Sequence, residues 1–280
     1  MLRLYIEAPF AAFRTFAAGG YRPTATFLTP SAAYGLVLNV AGIESRLWEE
    51  HEQFPQKHPY NPRRNPPLHT LVVSGLPVVD MALGVATFRL RGRDRRELVP
   101  EADQFPRVQT VYQQLHNYPV GGTGKKRAEE TKENKYHITP VRREFLSDLR
   151  AVIALRGNND LEDRIRRGLA NTFNAGRYGV PFLGDNAFLI DRLEELTDPG
   201  PVRWYERISA ASGAGVRDRA TRLTILIDRA DLSKTESAVF APTEPTPADK
   251  PPPSAWVEIK PPQPEVTPPT PSPRRRSPKK

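Results

Sequence analysis

Lys125, Lys126, Arg127, Lys132 and Lys135 crowd one short stretch that runs straight into Tyr136 and His137, and Arg142 and Arg143 follow soon after. Cations beside flat side chains suit an unpaired RNA strand. The cations meet its phosphates, and the rings offer faces on which its bases stack. Glu129, Glu130 and Glu133 lie among the cations and cancel part of their field, so a solvated loop is the competing reading. Arg63-Arg64, in a Pro-rich segment, and Arg274-Arg275-Arg276 with Lys279-Lys280 at the end are further phosphate contacts or simply solvated charge.

Other chemistries lack their residues. There is no cysteine, hence no thiol nucleophile, no disulfide and no Cys-based zinc site. No H-E-x-x-H occurs, and His51, His58, His69 and His116 show no ligand spacing. Gly121-Gly122-Thr123-Gly124-Lys125-Lys126 lacks the layout of a nucleotide-binding P-loop. No cofactor and no metal are therefore expected. The formal charge of +9 favours a polyanionic partner: RNA, DNA or an anionic membrane. No window approaches the ~20 apolar residues of a membrane span, and the N-terminus carries no signal-peptide pattern. The expectation is a cytoplasmic protein with no membrane partner.

These residues need elements to hold them. Leu2, Leu4 and Ile6 alternate with Arg3, Tyr5 and Glu7, a strand that Pro9 should end. Thr29 and Ser31 are helix caps, Pro30 suits the first turn, and Ser31–Ile43 is apolar nearly all round, a buried helix continuing into a turn that carries Trp48. The free N–H groups at its start either hold a phosphate or are satisfied by the caps. Strands are expected at Leu68–Val73, Val85–Arg91, Arg142–Leu155, Ala187–Ile190, Val202–Ile208 and, last, Leu223–Ile227. Gln104–Tyr118 is ambiguous, and residues 107–140 read as a long excursion, mobile without a partner. Asp160 can cap a helix to about Phe173, with Leu161, Ile165, Leu169 and Phe173 on one face. The order strand, helix, strand, excursion, strand, helix, strand predicts an α+β fold, a βαββαβ ferredoxin-like core with an insertion. Residues 1–232 form the domain; 233–280, dominated by proline, read as a disordered basic tail.

Leu2–Phe13, then Phe27-Leu28-Thr29-Pro30-Ser31-Ala32-Ala33-Tyr34-Gly35-Leu36 and Ala41-Gly42-Ile43, resemble the start of the fifth family of CRISPR-associated (Cas) proteins, in the RAMP superfamily. The stretch Gly176–Gly184, with Pro181 and Leu183, is similar to a G-x-x-x-x-P-x-L-G motif of the same family. The resemblance implies an RRM-like domain with a β-hairpin thumb, placed here at about 107–140. It implies a subunit of a type I Cascade complex that caps the 5′ handle of the crRNA and acts in defence against foreign DNA. Its partners would be the backbone subunit beside it and the large subunit that reads the PAM, so that it meets target DNA only indirectly. Arg14, Arg22, Thr29, Ser31 and Gly35 lie where the family's first turn and first helix meet the handle. Some members of one subtype cut the precursor RNA with a metal-independent Tyr/Lys/His site, and Lys135, Tyr136 and His137 are the matching residue types. Neighbours on a strand point to opposite faces, so Tyr136 and His137 cannot simply converge. The expectation is therefore binding without turnover. Precursor endoribonuclease activity is the first alternative, and a structural RNA-binding protein outside CRISPR is the second.

Overall fold

The computed structural model describes residues 1–15, 21–48, 70–72, 75–92, 94, 96–102, 105–119, 136–173, 179–208, 217–228 and 232–261. Its strands in chain order are β1 (Leu2–Ala11), β2 (Tyr21–Arg22), β3 (Arg46–Trp48), β4 (Thr70–Val72), β5 (Val79–Ala86), β6 (Phe88–Arg91), β7 (Glu97–Pro100), β8 (Arg107–Pro119) and β9 (Tyr136–Arg156). They continue as β10 (Arg192–Glu195), β11 (Pro201–Arg207), β12 (Thr221–Leu226), β13 (Glu236–Pro242), β14 (Thr246–Pro247) and β15 (Val257–Ile259). Helix α1 (Pro30–Val40) follows β2, and helix α2 (Asn159–Leu169) follows β9. The fold is α+β and mostly antiparallel. The main sheet runs β10–β1–β9–β5–β11–β13–β12, with β2, β8, β14 and β15 paired at its sides.

β9 is the spine. Residues 146–155 pair with β1 along one edge, and residues 151–156 pair with β5 along the other. Its centre, Ala151-Val152-Ile153-Ala154-Leu155, is buried on both faces, as an apolar run in a central strand must be. One face packs on the helices through Leu4, Ile6, Val85, Ile153 and Leu155. The other is covered by Phe88, Leu90, Trp204, Ala248 and Ala255 around Tyr5 and Val152.

Pro9 does not end β1. The strand pairs on through Ala11, and the inward positions step from Leu4, Ile6 and Ala8 to Ala11 and Phe13. β9 makes the same one-residue step, from Leu149 to Leu146, with Asp148 at φ 60° between them. The proline lies beyond the last β1–β10 pair, Glu7↔Arg192, where its missing N–H costs no bond to β10.

Both helices are capped by their own sequence. Thr29 Oγ1 accepts from Ala32 N at 3.2 Å, and Asn158 Oδ1, not Asp160, accepts from Leu161 N at 3.0 Å. Asp160 and Glu162 in the first turn of α2, and Arg166 and Arg167 in its last, complement the helix dipole. Arg164 Nε donates to Ala41 O at 3.2 Å and satisfies a carbonyl at the end of α1. Gly168 lets the helices touch: a Cβ there would meet Val40 O at 1.8 Å.

Three further sequence expectations need correction, and one open reading is resolved. The chain beyond residue 233 is not a tail up to Pro261: β13 pairs with β11 and β12, and β15 covers β5 through Val257↔Met81 and Ile259↔Val79. Enough apolar side chains survive among the prolines, Phe240 and Ile259 included, to dock that segment. The segment around Trp48 is strand β3, paired with β4, not a helical turn. Ala187–Ile190 forms only a bridge, Phe182↔Leu189, and the strand comes later as β10. The ambiguous stretch before Tyr118 is strand β8, which pairs with β9 from Arg107↔Ser147 to Pro119↔Tyr136. Among the described residues no helix is long and apolar enough to cross a membrane.

Candidate nucleic-acid interface

The outer half of β9 extends past the end of β5 and carries β8 along the same edge. On the opposite edge lies β2, parallel to it, with Tyr21↔Arg142 and Arg22↔Arg143 in register. Three of the predicted arginines thus meet on two adjacent strands. Arg14 joins them beside the residues that follow β2. It forms a bridge with Thr24, Phe13 N donates to Thr24 Oγ1 at 2.9 Å, and Ala25 N donates to Phe13 O at 2.7 Å.

Alternation along β9 divides the arginines between two faces. On one face Arg143 bonds Asp185 and donates to Gln113 Oε1 at 2.8 Å. The Arg143 guanidinium, a bond from Ala187 N and the charge of Arg14 hold the Asp185 carboxyl below its ordinary range. Asp185 is delivered by the glycine-marked loop. Gly184 has φ +81°, its absent Cβ would overlap Ala12 O, and Ala12 N donates to Leu183 O at 2.9 Å. The Pro-x-Leu-Gly stretch therefore pins this loop to the end of β1 and aims its acid at the hairpin. Phe10, Phe145 and Phe188 pack edge-on and tilted beside this pair, with centroids 5.5 to 6.0 Å apart.

On the other face the Arg142 guanidinium lies 4.8 Å from the Tyr21 ring centroid. Tyr21 Oη donates to Glu144 Oε1, which raises the pKa of the phenol. Glu144 Oε2 accepts from Thr24 N at 3.3 Å. Tyr112 stands opposite Arg142 on β8. Among the described residues Arg14, Arg22, Arg142 and Arg143 outnumber Glu144 and Asp185 here.

An ion cluster fixes the base of this hairpin. Arg89 bonds Glu7 and Asp148 and reaches Glu101 Oε1 at 2.7 Å. Arg150, fully buried, lies 3.6 Å from Glu101 and 3.5 Å from Asp148. Burial lowers the Arg89 pKa, but its bonds to Asp148 and Glu7 win and hold the guanidinium charged. The cluster ties β1, β6 and the segment after β7 to the step in β9.

The remaining predicted residues fall elsewhere. Thr29 is buried and used as a cap, and Ser31 Oγ lies 3.2 Å from its hydroxyl. Pro30 beside them faces Tyr205, Leu223 and Phe240. Gly35 is exposed on α1, and a Cβ there would meet nothing within 4 Å. Lys125, Lys126, Arg127, Lys132 and Lys135 lie outside the described residues. Tyr136 and His137 are placed as strand backbone, opposite Pro119 and Tyr118. Among the described residues no cluster of three or more His, Cys, Asp or Glu side chains forms a metal site. Sequence reading missed Tyr21 and Tyr112. Each is an isolated tyrosine outside any motif, and only strand pairing brings them to Arg142.

Comparison with known proteins places this geometry in context. A family model described as CRISPR-associated protein (Cas_Cas5) matches residues 1–213. No curated protein matches by sequence. Among solved structures, a chain of a CRISPR RNA-guided surveillance complex is similar over 91% of this chain and 95% of its own, with 15% identity and a TM-score of 0.45. A structure described as a Cas protein is similar over 89% and 95%, with 11% identity and a TM-score of 0.40.

Proposed function

We propose, since this chain belongs to the CRISPR-associated Cas5 family, that it holds the 5′ handle of a crRNA inside a type I Cascade complex and serves defence against foreign DNA. The observation that carries the reading is the two-faced hairpin rim. Arg22, Arg142 and Arg143 sit in register across β2 and β9, and β8 extends the same surface. Cations on adjacent strands, with flat rings on either side of Arg142, match a backbone of phosphates and unstacked bases.

The topology supports the finer fold assignment. β1, β5, β9 and β10, interleaved with α1 and α2, give a βαββαβ order, and their spatial order is β10–β1–β9–β5. That order supports reading it as a ferredoxin-like domain. The β8–β9 hairpin grows between its second and third strands, the place of a thumb. In this reading the thumb lies over the guide, and the neighbouring backbone and large subunits pack alongside. Foreign DNA is met through those partners.

The mechanism is binding. Phosphates lie against Arg142 and its neighbours, while the ion cluster at Asp148 ties the base of the hairpin to β1 and β6. Purification of the chain from its host with bound RNA, followed by sequencing, tests this. Repeat-derived 5′ ends support handle binding; RNA of mixed origin supports a general RNA-binding protein instead.

A further inference from the structure

Tyr112 is the most exposed of the large apolar and aromatic side chains among the described residues, at 75%. It stands in the middle of the β8 pairing and points away from Val111, which shares the face of Arg143. Register puts it directly across from Arg142, and Arg142 directly across from Tyr21. The three side chains therefore form one row over three adjacent strands, about 4.8 Å from strand to strand.

We propose that this row is a base-binding subsite for one unpaired RNA nucleotide, with the base on the Tyr112 ring and its phosphate on Arg142. The proposal rests on the RNA-binding reading above and adds to it a position and a chemistry. Three observations point there. The far side of the row is already built: Arg142 lies over the Tyr21 ring, and Tyr21 is tied through Glu144 to the Thr24 backbone. Arg142 is thus held on one side and open on the other. Glu144, the carboxylate beside the row among the described residues, is engaged by the Tyr21 hydroxyl, by Thr24 N and by Arg142 at 3.9 Å, so its charge does not repel a phosphate unopposed. Finally, among the described residues no ring or cation packs on the exposed Tyr112 ring, and a tyrosine loses little rotamer freedom on binding because it has only two side-chain torsions. A duplex does not fit this description, since its bases already stack on each other. An extruded or single-stranded base does.

The test uses the full chain and a fluorescently labelled single-stranded CRISPR-repeat RNA. A second set of RNAs carries one abasic site at successive positions. Tyr112→Ala is expected to weaken binding about 5- to 150-fold, the range of one base–aromatic stack. Tyr112→Phe, which keeps the ring, restores most of that loss. One abasic position weakens the wild type by a similar factor and leaves Tyr112→Ala unchanged, because the two changes remove the same contact. Matching melting temperatures verify that the variants fold. Unchanged affinity in Tyr112→Ala, with tight binding of repeat RNA, overturns the subsite and leaves the handle reading standing. Equal weakness of the Phe and Ala variants overturns stacking, since the hydroxyl then carries the contact. Absence of RNA binding by the wild type overturns both the subsite and the reading beneath it.

Discussion

Replacing Ile259 with alanine should cost far more than a change near the end of a Pro-rich segment normally would. Ile259 is fully buried at the last position of β15, paired with Val79 on the edge of β5. Removing a buried isoleucine to alanine loses transfer energy and leaves a cavity, about 2–5 kcal/mol in all. For a domain of this size each kcal/mol lowers Tm by roughly 2–4 °C, so the expected drop is about 4–20 °C. Ending the chain after Lys234 is more severe, because it removes Phe240, Val257 and Ile259 together. At about 1.5–3 kcal/mol each, their burial is worth roughly 4.5–9 kcal/mol, comparable to the whole stability of a domain. That shortened chain should fail to give a cooperative melt. The assay is thermal unfolding followed by circular dichroism, with urea titration as a check. A Tm for Ile259→Ala within about 1 °C of the wild type would refute the docking of this segment.

Other perturbations probe the helices, the ion cluster and the rim. Gly168→Ala should destabilise by about 1–3 kcal/mol despite alanine's better helix propensity, because the new methyl meets Val40 O; the urea midpoint reports it. Arg150→Ala removes a buried guanidinium facing the partly exposed Glu101 and Asp148, which keep Arg89 as a partner, and should cost about 1.5–3 kcal/mol in the same titration. The Asp185 carboxyl is depressed in the folded state, mainly by Arg143. Its contribution to stability is therefore complete above the ordinary carboxylate pKa of about 3.9 and is lost as pH falls through the lower folded value. Asp185→Asn should flatten the acid limb of stability against pH, and an unchanged acid limb would contradict the pairing. Arg142→Ala should lower the slope of log affinity for repeat RNA against log salt by about 0.7, the share of one phosphate on a single strand.

The α+β character, strands around two helices, was legible because its signals are local. Thr29-Pro30 announces α1, and the apolar run of β9 announces a central strand. Asn158 was passed over for Asp160 because either residue type can cap, and only geometry chooses between them. Pro9 misled because a proline at a step in register costs no bond to β10, and the step itself depends on Asp148, far away in sequence. The C-terminal segment misled because composition averages over it: prolines dominate, yet Phe240, Val257 and Ile259 fall where a sheet needs them. Arg142 and Arg143 were readable as a basic pair, but their separation onto two faces, toward Tyr21 and Asp185 respectively, is a property of strand pairing. No spacing rule connects Tyr21, Tyr112 and Arg142, because they come from three strands joined by long connections.

The most direct test of guide-RNA binding is a competition experiment. The full chain is incubated in EDTA with labelled CRISPR-repeat RNA, and unlabelled repeat RNA is compared with unrelated single-stranded RNA of the same length. The account predicts a retained, uncut complex that repeat RNA displaces at much lower concentration. A single cut at the handle boundary, lost in His137→Ala, would contradict binding without turnover, and equal competition by unrelated RNA would contradict recognition of the handle.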